Sequence, residues 1–219
     1  MGHDVDDTAQ SGGSDLAEQA SRDGDPPSDE EIAIRRYLLY FMLPLWVLPG
    51  LADWNFHRRT NIETTSGTHE SLTHQLMMGA IGVPILCALL FDINALVLVI
   101  MMGGYVVHEG ISYWDVSYAT GRREVPALEQ HTHSFLEMLP FMGASFAICL
   151  RAKQFAAIFG RGDEAPRWRL QPKRPGLPAR YIVGILALVT LAVALPYAEE
   201  FLRCYRADPT LRPRDEPAP

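Results

Sequence analysis

The sequence has few cysteines, and their spacing argues against two classes of protein. Cys87, Cys149 and Cys204 are the three cysteines, and none forms a CxxC pair. A disulfide framework or a thiolate-held zinc knuckle is therefore not expected, and buried free thiols are the simpler interpretation. No basic segment followed by an apolar one occurs near the N-terminus, which predicts that there is no cleavable signal peptide. No basic cluster with interleaved aromatic residues occurs either, so we expect no nucleic-acid partner.

Charge is distributed unevenly along the chain. The net charge of -7 comes largely from residues 1–27, which are rich in Asp, Ser and Gly and include Arg22 as their only basic residue. Such a segment has too little apolar surface to form a core, so we expect a disordered acidic tail. Residues 206–219 are rich in proline and charge and predict a disordered C-terminal tail. We expect residues 28–205, between the tails, to form one transmembrane helical domain.

Long apolar runs are what the sequence has in abundance. The stretch 72–107 is too long for a single span of about 20 residues, and the polar residues 92–94 follow its first half. This pattern predicts a tight helical hairpin with its turn at 92–94. The fold class that we predict is all-α, a multi-pass membrane helical bundle of about five transmembrane helices. The predicted spans are residues 35–54, 72–91, 94–113, 134–151 and 180–199.

Six of the seven histidines lie between residues 53 and 137, interleaved with carboxylates. Ionisable residues beside membrane-grade apolar runs are costly to keep, which makes them candidates for function. The alternating direction of the predicted spans brings all of them to the same membrane face. Spacings of four or seven residues place the members of each helix on one side of it. The sequence therefore predicts four helices converging on a metal site, with these ligands: Asp53, His57, Glu70, His74, His108, Asp115, Glu129, His131 and His133.

A mixed set of carboxylates and imidazoles favours iron or manganese, and also suits zinc. Di-iron and di-manganese helical bundles use this kind of set, so the cofactor we expect is two iron ions, with zinc or manganese as alternatives. His131 is two residues from His133 and would point away from it on a regular helix. The alternative to ligation is a buried hydrogen-bonded pair at Glu70, His74, His108 and His133, and a helix-end pair at the membrane interface for Asp53 and His57. We expect four arginines to be interfacial anchors and a Glu pair, 199–200, to mark the exit of the last span. Those arginines are Arg58, Arg59, Arg122 and Arg123.

Three segments carry a resemblance to known proteins. They are Asp-Trp-Asn-Phe-His at 53–57, Thr-Ser-Gly-Thr-His-Glu-Ser-Leu-Thr-His at 65–74, and Glu-Gln-His-Thr-His-Ser-Phe-Leu-Glu at 129–137. Together they resemble a bacterial family of small, uncharacterised, His-rich multi-pass membrane proteins, which implies a place in the bacterial inner (plasma) membrane. More loosely, the pattern is similar to the membrane-bound di-iron oxygenases of the fatty-acid hydroxylase and desaturase group. It departs from their HxxxH and HxxHH boxes, because carboxylates replace several histidines.

Three functions remain open at this point. The leading one is a membrane oxidoreductase with a di-iron centre, which hydroxylates or desaturates a lipid-like substrate from the bilayer and receives electrons from a donor protein. The second is a zinc-dependent membrane hydrolase, in which Glu70 or Glu129 acts as the general base. The third is a non-enzymatic metal-binding or metal-transport membrane protein.

Overall fold

The computed structural model describes residues 28–210, so the predicted disordered tails lie outside it except for residues 206–210. Within these residues the chain forms helices and no β-strand. The five long helices are long and apolar enough to cross a membrane, which confirms the predicted all-α, multi-pass helical architecture. The helices are α1 (Asp29–Arg59), α2 (Gly67–Leu90), α3 (Ala95–Ala119), α4 (Ala127–Leu150), the short α5 (Ala152–Ile158) and α6 (Ala179–Ala207).

The chain divides into two units, Met1–Arg36 and Tyr37–Pro219. In the described part of the first unit, the hydroxyl of Ser28 accepts a hydrogen bond from the backbone N–H of Glu31 at 3.2 Å. This bond satisfies one of the free donors at the start of α1. The second unit contains every candidate ligand that the sequence analysis named.

The turn between α2 and α3 lies at residues 91–94, as the sequence predicts. The side chain of Asn94 caps α3 by accepting a hydrogen bond from the N–H of Val97 at 3.2 Å. Its amide also donates to the carbonyl of Arg169 at 2.8 Å, so the 159–178 connection packs against this turn. We call this end of the bundle the hairpin face, and the end with residues 60–66 and 120–126 the metal face.

Two helices contain a widened π-helical turn just before a proline. The turns are Leu38–Met42, ahead of Pro44, and Thr190–Ala194, ahead of Pro196. Proline has no N–H to donate, and its ring clashes with the carbonyl four residues earlier, which in both cases lies within the π-helical turn. A π-helical turn accommodates this missing bond without ending the helix.

Gly104 of α3 lies where α2 and α3 come closest. A Cβ added at this position would lie 2.5 Å from the carbonyl oxygen of Ala80 and 2.5 Å from Cγ of Pro84. Because the first contact is with backbone, the two helices would have to separate. We expect Gly104→Ala to destabilise the protein by about 1–3 kcal/mol, the usual cost of overpacking, measured by thermal unfolding in detergent.

The neighbouring Gly103 provides a matched control for this prediction. A Cβ at Gly103 would meet nothing within 4 Å. Since alanine favours a helix over glycine, Gly103→Ala should leave the stability unchanged or raise it by up to about 1 kcal/mol. Equal melting temperatures for the two variants would contradict the close approach at Gly104.

Candidate metal centre

Carboxylates and imidazoles from all five long helices meet near the metal face. The alternating direction of the helices places the end of α1, the start of α2, the end of α3, the start of α4 and the end of α6 there. Most of these side chains are buried, and they form three overlapping groups. Within each group, the ligand atoms lie within 4.8 Å of one another. The members are Asp53, His57, Glu70, His74, Asp115, Glu129, His133 and Glu200.

The first group joins α1 to α4. It consists of Asp53, His57, Glu129 and His133, with one ligand atom from each. Nε2 of His57 lies 3.4 Å from Oδ1 of Asp53 and 3.5 Å from Oε1 of Glu129. Nε2 of His133 lies 2.7 Å from the same Asp53 oxygen. Both i,i+4 pairs that the sequence singled out on these helices therefore face a common point.

The second group joins α2 to α3 and consists of Glu70, His74 and Asp115. Nε2 of His74 lies 3.3 Å from Oδ2 of Asp115, whose other oxygen accepts a hydrogen bond from the hydroxyl of Thr73. Oε1 of Glu70 also lies 3.7 Å from Nε2 of His57 in the first group. The rings of His57 and His74 stack with centroids 4.6 Å apart, so the two groups are immediate neighbours.

One buried nitrogen of His57 is surrounded by carboxylates at distances longer than a hydrogen bond. Its side chain is fully buried, and its Nε2 makes no hydrogen bond within the described part of the chain. Three carboxylate oxygens, from Asp53, Glu70 and Glu129, surround this nitrogen at 3.4–3.7 Å. These separations are long for hydrogen bonds. They are close to the roughly 3.0–3.4 Å between two donors that are each about 2.1 Å from one ion.

Glu200 of α6 holds both stacked histidines. Its Oε2 lies 2.9 Å from Nδ1 of His57, and its Oε1 lies 3.0 Å from Nδ1 of His74. A carboxylate on one ring nitrogen fixes the orientation of the ring and directs the other nitrogen toward a metal. Glu200 is completely buried and faces the two histidines, and the exit of the last span at residues 199–200 stays a prediction.

Arg123, in the loop between α3 and α4, binds two of the predicted ligands. Its guanidinium donates to both oxygens of Glu70, at 2.5 and 3.1 Å, and to both oxygens of Glu129, at 2.5 and 3.2 Å. Burial opposes the charge of Arg123, but these hydrogen bonds outweigh it and hold the pKa of the side chain above its ordinary value. At 8% exposure it is buried, so the prediction of an interfacial anchor was wrong for Arg123.

Two predicted ligands lie outside the three groups. His108 is buried, but it is two helical turns from Asp115, about 10 Å along α3, and its Nδ1 lies 3.2 Å from Oε1 of Glu109. His131 is exposed, and its ring packs edge-on against Phe135. Two residues of a regular helix point about 200° apart, so α4 cannot direct both His131 and His133 inward.

A cavity of about 270 Å³ opens beside the two groups. Asp53, His74, Asp115 and His133 contribute to its wall, so both groups have a side that faces the cavity. The rest of the wall is mainly apolar and comes largely from α1, α2 and α6, with smaller contributions from α3 and α4. A hydrocarbon ligand in this cavity would contact the candidate metal centre directly.

Comparisons of this chain with protein-family models, with curated proteins and with solved structures found no match. The resemblance to membrane-bound di-iron oxygenases therefore stays a prediction.

Proposed function

We propose that the protein is a membrane-embedded oxidoreductase with a dinuclear iron centre that hydroxylates or desaturates a lipid-like substrate. The observation that carries the proposal is the buried Nε2 of His57, which faces three carboxylate oxygens at distances suited to a shared cation. A buried nitrogen that makes no hydrogen bond is costly, and a metal ion would satisfy it.

The charge of the site supports two divalent ions. With neutral imidazoles, five buried carboxylates and one buried guanidinium leave four negative charges. Uncompensated charge is costly inside a membrane protein, and two divalent cations would balance it. Protonation of His57, His74 and His133 would still leave one negative charge. The carboxylates are Asp53, Glu70, Asp115, Glu129 and Glu200.

Each group of side chains has its own role in this proposal. The first group would hold one ion and the second group the other, with Glu70 placed between them. Glu200 orients both imidazoles, and Arg123 fixes the two glutamates that α2 and α4 supply. The apolar cavity would bring the carbon–hydrogen bonds of a lipid-like substrate from the bilayer to the centre.

Iron supplies the one-electron and oxygen chemistry that attack on an unactivated carbon–hydrogen bond requires. Hydroxylation places one atom of O₂ in the carbon–hydrogen bond and reduces the other to water, with two electrons and two protons from outside. Desaturation removes two hydrogens from the chain and reduces both oxygen atoms to water, again with two electrons and two protons from outside. We assign these electrons to a separate donor protein. For the oxidoreductase itself, we propose a location in the bacterial inner (plasma) membrane.

Elemental analysis of the purified protein tests the proposal. We expect about two iron ions per chain after expression in iron-replete medium, with an optical or Mössbauer signature of a coupled pair. One tightly bound zinc per chain, with no iron uptake by the reconstituted protein, would instead favour a zinc hydrolase and overturn the oxidoreductase assignment.

Two neighbouring histidines allow a matched test of the ligand groups. His133→Ala removes a ligand from the first group only, so we expect bound metal to fall from about two ions to about one per chain. His131→Ala changes an exposed ring two residues away and should leave the metal content unchanged. Mass spectrometry of metal bound to the folded protein measures both. Equal metal content in the two variants would contradict the placement of His133 in the centre.

A further inference from the structure

The polarity of the cavity wall falls with distance from the metal centre. Ser112 and Glu137 line it one helical turn from Asp115 and His133, and His108 lines it one turn deeper. Beyond these residues, toward the hairpin face, the wall on α2 and α6 is apolar, with Ile81, Ile85 and Leu89 on α2 and Ile185, Leu186 and Val189 on α6. The cavity is therefore polar only near the metals.

The deeper part of the cavity reaches the outer surface of the bundle. Leu86 of α2 and Leu186 of α6 both line it, and both are 41% exposed. In a membrane, side chains exposed at this depth face lipid tails. Both leucines therefore line the cavity and are also accessible from outside the bundle, and we call the surface position between them the side entrance.

The length of the cavity suits one acyl chain. Leu86 follows His74 by twelve positions on α2, which corresponds to a rise of about 18 Å. The hydrocarbon depth of one leaflet is similar, about half of the roughly 30 Å core. A chain that enters at the side entrance and lies along α2 therefore ends beside His74.

Charge determines which end of such a lipid reaches the metals. In the metal-free protein, the metal end of the cavity is lined by carboxylates, including Asp53, Asp115 and Glu137, and would repel an anionic head group. The hairpin face carries exposed arginines, among them Arg174 and Arg180. Arg180 is six residues, about 9 Å, from Leu186 on α6. Arg174 follows Lys173, whose backbone N–H donates to the carbonyl of Leu90 at the end of α2.

We propose that the protein binds a long-chain lipid with an anionic head group at Arg174 and Arg180, and that its chain enters between α2 and α6. The methyl-end half of the chain then lies beside the metal centre, far from the head group. That the reaction occurs on those distal carbons rests on the proposed function. The direction of the chain rests only on the cavity and the charges.

Photoreactive palmitate tests the direction without requiring metal or activity. One probe carries a diazirine near the methyl end, and the other carries it near the carboxylate. In metal-free protein we expect the first to label Met77 or Met78, which line the metal end, and the second to label the region of Leu86 and Leu186. Labelling in the reverse order would overturn the orientation. Labelling of lipid-facing residues alone, outside the cavity, would overturn the site.

Two glycines of α2 provide the matched variants. Gly82 lines the cavity between the side entrance and the metals, and an added Cβ there meets nothing within 4 Å, so Gly82→Leu extends into the cavity. Gly79 is exposed, has the same open surroundings and does not line the cavity. Gly82→Leu should reduce labelling of Met77 and Met78 by the methyl-end probe at least tenfold, and Gly79→Leu should not. Equal labelling in both would refute the path.

A second arm tests the head group and uses a variant whose changes are confined to the exposed hairpin face. We expect the double variant Arg174→Gln/Arg180→Gln to lower palmitate labelling several-fold. Labelling by the corresponding uncharged alcohol should not change, because it has no anionic group. An equal loss for both probes, or a loss for neither, would contradict the anionic head group. If the probes label the cavity but the purified native protein contains no iron, this inference holds and only the oxidoreductase proposal is overturned.

Discussion

Replacing Arg123 by methionine is expected to destabilise the protein by about 3–5 kcal/mol, because it leaves two buried glutamates without their shared cation. The guanidinium makes four hydrogen bonds to Glu70 and Glu129, whose side chains are fully buried. Methionine can occupy much of the same space but offers no donor. The loss is measured as a lower melting temperature of the metal-free protein in detergent.

The adjacent arginine is the control for this change. Arg122 is exposed, and its guanidinium lies 3.5 Å from the ring centroid of Tyr118. Arg122→Met should therefore cost no more than about 1 kcal/mol. Arg123→Lys should recover only part of the loss, because an ammonium cannot form two bidentate pairs. If Arg123→Met were as stable as Arg122→Met, the buried ion-pair network would not exist in the folded protein.

Replacing Glu200 by glutamine is expected to weaken metal binding at both groups, by about 10–100-fold at each. Glu200 accepts from Nδ1 of His57 through one oxygen and from Nδ1 of His74 through the other. A glutamine has one oxygen, so its amide N–H₂ group must face one of the two rings and oppose the required tautomer. Competition with a chelator of known affinity measures the change for each ion.

Glu199→Gln is the matched control for Glu200→Gln, since Glu199 is 41% exposed and contacts Arg58 and Arg203 instead of the histidines. We expect it to bind metal like the native protein. If Glu200 were itself a ligand, Glu200→Gln would lower the number of bound ions even at saturating metal. Saturation at two ions with weaker affinity supports the orienting role.

Local patterns along the sequence determined much of this protein. Hydropathy located the apolar segments and the polar turn at 92–94, because crossing a membrane demands about 20 consecutive apolar residues. Helical periodicity then paired Asp53 with His57, Glu70 with His74, and Glu129 with His133, because residues four apart share one face of a helix. The alternation of spans was sufficient to place these pairs at one end of the bundle.

Only the tertiary structure decided which other side chains join the site. Arg123 lies in a loop, where no periodicity predicts the direction of a side chain, and Glu200 was distinguished from Glu199 only by the rotation of α6 against α1 and α2. His108 shares a face with Asp115 but lies at a different depth, and His131 lies on the outer side of α4. The direction in which a side chain points repeats along a helix. Its depth in the bundle and the side chains that it contacts depend instead on how the helices pack against one another.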